Sequence, residues 1–188
     1  MLGYQCRDVH SCSIRVYLRT SRSLIAVAYR ICGMHCADLE DCRMSTWGIG
    51  AFDNDDAAQW AAKFDASSSV ERVNVVRNAL RVVLDRDHTA EEFAAVAAAT
   101  TVASSLPGGP LLAPDYGPDR HLIEQFRASD DLPDLAVRAL NRIKGAKSEW
   151  SGLWNRAGSL DDAVAVIDAI IDELELRTVL PEYVALSA

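Results

Sequence analysis

Cysteine is absent from every position after Cys42, although Cys6, Cys12, Cys32, Cys36 and Cys42 crowd the residues before it. For residues 44–188 this excludes internal disulfides, thiolate zinc centres and cysteine nucleophiles. Lysine is scarce too, with only Lys63, Lys144 and Lys147 among 19 basic residues. Together with abundant Ala, Val and Asp, that bias fits the codon supply of a genome rich in G and C. No run approaches the roughly 20 apolar residues a membrane helix needs. The longest upstream stretch, Leu24-Ile25-Ala26-Val27-Ala28-Tyr29, is also too short for a signal-peptide core and lacks a clear cleavage site. Positive charge is thin, with a net charge of −8 and a pI of about 4.9. Phosphate contacts need local cations, so nucleic acid and anionic membrane surfaces are poor partners. The expectation is a cytoplasmic protein with no nucleic-acid or membrane role.

Charge changes where cysteine stops. Residues 1–43 hold six Arg, no Lys and four acids, a net +2, whereas residues 44–188 hold 13 basic and 23 acidic residues, a net −10. Upstream DNA of a GC-rich genome, read in frame, gives such Arg-, Ser- and Cys-rich sequence. Residues 1–43 are therefore expected to be a non-native or disordered extension, with Met44 as the true start. A zinc site of Cys32, Cys36 and Cys42 with His35 or His10 is disfavoured, because five residues separate Cys36 from Cys42 and no second close pair follows. Asp8, Asp38, Glu40 and Asp41 speak against a transit peptide.

From Met44 onward the helical period prevails. After the glycine turn of Trp47-Gly48-Ile49-Gly50, Asp53 reads as an N-cap closed by Asp56, and Ala57, Trp60, Ala61 and Phe64 share one helix face. Ser68 with Glu71, Thr89 with Glu92, Asp131 with Asp134 and Ser159 with Asp162 mark further helix starts. Val73, Val76, Leu80, Val83 and Leu84 recur at helical spacing, as do Leu160, Ala163, Val164, Ile167, Ile170, Ile171 and Leu174. The Ala-rich stretch from Thr89 to Ser105 suits a central helix, since small side chains let neighbouring backbones approach. Residues 106–118 hold four prolines and three glycines and read as the longest irregular connection, with Pro118 opening a short helix through Phe126. Leu135, Val137, Leu140 and Ile143 give a helix closed by Gly145, and Trp150, Leu153 and Trp154 share a short amphipathic turn. The reading is an all-α single domain over 44–188. It has about six or seven helices between Asp53 and Leu176, a Trp-Gly arm and a flexible tail.

The opening Trp47-Gly48-Ile49-Gly50-Ala51-Phe52-Asp53-Asn54-Asp55 resembles the N-terminus of the bacterial domain-of-unknown-function family 4259, whose members open on Trp-Gly-x-Gly-x-Phe-Asp-Asn-Asp. The helix order, the central Pro/Gly-rich loop and the late Ser148-Glu149-Trp150-Ser151-Gly152-Leu153-Trp154 segment are similar as well. The likeness covers about 44–176 and omits 1–43. It implies no activity, cofactor or substrate.

The residues themselves offer little chemistry. Asp53, Asn54, Asp55 and Asp56 form the dense acidic cluster that could begin an oxygen-ligand metal site. The EF-hand pattern fails, because counting from Asp53 the sixth position is Ala58 instead of Gly and the twelfth is Phe64 instead of Glu. His88 and His121 are isolated candidates for a general base. Neither a Gly-x-Ser-x-Gly elbow nor a P-loop follows any glycine pair. No catalytic residue, metal ligand or cofactor is assigned. Trp47, Phe52, Asp53, Asn54, Asp55 and Asp56 are the candidate binding residues, and Trp60, Trp150 and Trp154 are expected to pack the core. The first functional expectation is a non-enzymatic protein-interaction domain that meets a protein partner or its own copy. The alternative is a metal-assisted enzyme joining the Asp53–Asp56 cluster to His88 or His121.

Overall fold

The structure, a computed structural model, describes residues 12–20, 23–31, 48–85, 91–112 and 116–185, with side-chain surroundings given for 48–85, 91–112 and 116–178. The chain divides into two units, residues 1–43 and 44–188.

In the upstream unit, β1 (Cys12–Thr20) pairs antiparallel with β2 (Ser23–Ile31), in a register that sets Cys12 opposite Ile31 and Thr20 opposite Ser23. Their β-branched and aromatic content suits a pleated ladder. This hairpin is an element that charge and cysteine spacing did not announce. Cys6, Cys32, Cys36, Cys42, His10 and His35 lie outside the described residues.

The downstream unit is all-α. Its elements are α1 (Asp55–Ala66), α2 (Ser69–Asp85), α3 (Glu92–Ser105), α4 (Arg120–Gln125), α5 (Leu132–Ile143), α6 (Glu149–Ala157) and α7 (Leu160–Ala185). α3 is the hub and packs against α5, α2, α1 and α7. Ala95, Ala97, Ala98, Ala99 and Ala103 are buried around its circumference, so four helices can close on it. The hydroxyls of Thr100 and Thr101, also buried, donate to the carbonyls of Val96 and Ala97 at 2.8 and 2.9 Å and so carry no unpaired polar atom into the core. Val76, Leu80 and Val83 of α2 are buried, as are Leu140 and Ile143 of α5 and Ala163, Ile167, Ile170, Ile171 and Leu174 of α7. The helical period had marked these positions. Beyond Leu176, where a flexible tail was expected, α7 instead continues to Ala185.

Helix ends separate local from long-range causes. Ser68 and Glu71 form the expected capping box, with the Ser68 amide and hydroxyl both donating to Glu71 Oε2 at 3.0 and 2.7 Å. Asp131 does not cap α5 with its side chain. Its carboxylate instead receives Arg77 Nε and Nη2 from α2 at 3.1 and 3.0 Å. Thr89 lies outside the described residues, and Glu92 turns away to accept the Trp150 amide at 2.7 Å. At the far end of α3, Gly108 has a left-handed φ of 72°, and a side chain on Gly109 would collide with the backbone carbonyls of Ala103 and Ser104. Arg177 of α7 donates to Pro107 O at 3.0 Å and fixes that turn.

Candidate functional site

The polar side chains of the arm serve its own backbone, beginning with Asp53. Asp53 Oδ2 accepts the Gly50 amide at 3.0 Å, and the Asp53 amide returns a bond to Gly50 O at 3.1 Å.

 

A Cβ on Gly50 would lie 2.6 Å from that carboxylate oxygen, and one on Gly48 closer still, so both glycines are set by the approach of Asp53.

The N-cap of α1 is Asn54, which corrects the assignment to Asp53. Asn54 is 4% exposed, and its Oδ1 accepts the buried Ala57 amide at 2.8 Å. Phe52 is buried in the core at 4% exposure. Asp55 is exposed and Asp56 half-buried, both in the first turn. Burial, and then the neighbouring Asp55 charge, push the Asp56 carboxyl above its ordinary value. Trp47 lies outside the described residues.

Neither histidine is shown joining this cluster. His88 lies outside the described residues, while His121 sits exposed in α4 with Glu124 Oε2 3.8 Å from its Nδ1. Among the described residues, no group of three or more His, Cys, Asp or Glu side chains is placed to hold a metal ion. Trp60, Trp150 and Trp154 are core residues, as expected. Trp60 stacks near Phe64 at 5.6 Å, and Trp150 meets Trp154 edge-on at 6.2 Å.

Three polar arrangements carried no sequence signal, because their partners lie on a different helix or in a loop far along the chain. Buried Arg72 donates from Nε to Phe64 O at 3.2 Å and lies over the Phe64 ring, closing the C-terminus of α1. Asp65 accepts the Asp119 amide at 3.1 and 3.2 Å, and burial raises its carboxyl, with the Asp119 charge adding to the rise. Glu92, 3% exposed, is raised first by burial and then by Glu149, against the lowering effects of the Trp150 amide and Arg142. A shallow cleft of about 420 Å³ lies among Ser105, Leu106, Pro107, Arg127 and Ala128. Arg127 Nη1 is already bonded to the carbonyls of Glu124 and Phe126.

A family model described as domain of unknown function (DUF4259) matches residues 45–172. No curated protein and no solved structure matches the chain.

Proposed function

The chain belongs to the DUF4259 family, and from that premise we propose that residues 44–188 act as a non-enzymatic protein-interaction domain. One observation carries this reading: the Asp53 and Asn54 side chains serve the Gly50 and Ala57 amides, as an arm clasp and helix cap require. A catalytic metal site would need such oxygens turned toward a common ion. Val70, Leu111 and Leu176 support the reading as large apolar side chains left 77%, 75% and 54% exposed. The net charge of −10 over 44–188 favours a partner with a basic face. No helix among the described residues is long and apolar enough to cross a membrane. A cytoplasmic, bacterial setting belongs to the same proposal.

The test is native mass spectrometry of the C-terminally tagged chain purified from its host. A stoichiometric protein partner or second copy, lost in Leu111→Asp or Leu176→Asp without a change in melting temperature, is the expected result. A bare monomer would overturn the reading. So would a bound divalent metal that disappears in Asp55→Ala, which would favour the metal-assisted enzyme.

A further inference from the structure

We propose that α6 undocks as a unit, lifting Trp150 and Trp154 from the core, because it closes over two buried polar groups that regain water when it opens.

The first group is the Glu92 carboxylate of α3. It is 3% exposed and accepts the Trp150 amide at 2.7 Å. The backbone amides of Trp150 and Glu149 and the positive end of a short helix replace only part of the water that a carboxylate loses on burial. The charged groups acting on it are Glu149, at the start of α6, and Arg142 of α5, and they oppose one another. The second group is Trp154 Nε1, buried without a hydrogen-bond partner. A donor in that state lacks the bond it would make to water. Opening α6 hydrates both.

The build of α6 suits such a motion. Only Trp150, Ser151 and Trp154 of its nine residues are buried. The two indoles form one edge-on pair and can leave together. Gly158 ends the helix at a left-handed φ of 70°, with open space where a side chain would stand. Ser148 and Ser151 hydroxyls both donate to Ile143 O, at 2.6 and 3.2 Å, and these two bonds to the end of α5 break as the helix leaves. Burial of the two indoles holds the closed state as the majority form.

Native-state hydrogen exchange on the full chain, in rising sub-denaturing guanidinium, tests this. The amides of residues 153–157 are expected to exchange through an opening with lower free energy and weaker denaturant dependence than those of α3 and α5. Glu92→Gln keeps an acceptor for the Trp150 amide and removes the charge, so it should slow α6 exchange by roughly tenfold. Replacing Trp154 with benzothienylalanine, which keeps the bicyclic shape without the N–H, should also slow it. The denaturant dependence of exchange from α2 and α5 should not change in either variant. Equal free energy and denaturant slope for α6 and α5 in the unmodified chain would overturn the proposal, as would unchanged α6 rates in both variants. Should a variant fail to fold, the unmodified comparison decides alone.

Discussion

Asn54→Ala should destabilise the domain by about 2 kcal/mol. Asn54 Oδ1 accepts the Ala57 amide at 2.8 Å, one of the donors left without an intrahelical partner in the first turn of α1. Ala57 is 0% exposed, so water has no access to replace the lost acceptor. An ordinary cap deletion costs about 1 kcal/mol, and a buried unsatisfied donor about 1–3 kcal/mol. Both figures describe the same bond and do not add, and burial moves the value to the middle of the larger range. At about 2–4 °C per kcal/mol for a chain of this size, the melting temperature should fall by roughly 4–8 °C. Asp55→Ala, at an exposed position in the same turn, should stay within about 0.5 kcal/mol. Thermal and guanidinium unfolding, followed by circular dichroism, measure both. A value for Asn54→Ala within about 0.5 kcal/mol of the parent, or a larger cost for Asp55→Ala, would refute capping by Asn54.

Arg77 hydrogen bonding, with help from Ser129, lowers the Asp131 carboxyl from 3.8 to about 2. Its stabilising contribution is therefore complete above pH 3.8 and lost as pH falls toward 2, and Asp131→Asn should flatten that part of the acid limb; an unchanged limb refutes the pairing. Burial raises Glu92 above 4.5, so folding favours its neutral form and the domain gains stability as pH falls through the raised value. Glu92→Gln should remove that gain and be more stable at neutral pH, and a lower melting temperature there would contradict it. Gly109→Ala forces a methyl against the Ala103 and Ser104 carbonyls and should cost about 2 kcal/mol, whereas parent-like guanidinium unfolding would refute the turn geometry.

The helices were legible because their signals are local. Val76, Leu80 and Val83 repeat at the helical period, and Ser68 and Glu71 complete their cap within one turn. The candidate site was legible as a helix start but one residue out of place. Asp53, Asn54, Asp55 and Asp56 are all able caps, and the choice fell to Asn54 once Phe52 was buried and Asp53 had turned to Gly50. Asp131 read as a cap, and Glu92 as the acid that closes a cap at Thr89, for the same local reason. Their actual partners, Arg77 and Trp150, lie 54 and 58 residues away, and no short pattern reports on such a distance. Leu176, Val179, Leu180, Tyr183 and Val184 keep the helical spacing, but Pro181 among them reads as a helix breaker and hid the continuation of α7 to Ala185.

The all-round burial of α3 also shapes how the chain is made. At ribosomal speeds of about 5–20 residues per second, α5, which ends at Ile143, is completed roughly 2–8 s after α3 ends at Ser105. During that interval α1 and α2 are available to shelter the nascent alanine-rich helix, while the surface reserved for α5 and α7 stays wet. A pause in translation after α3 has left the ribosome and before α7 is complete would prolong that exposure, so synthesis rate over that stretch of the message bears directly on aggregation.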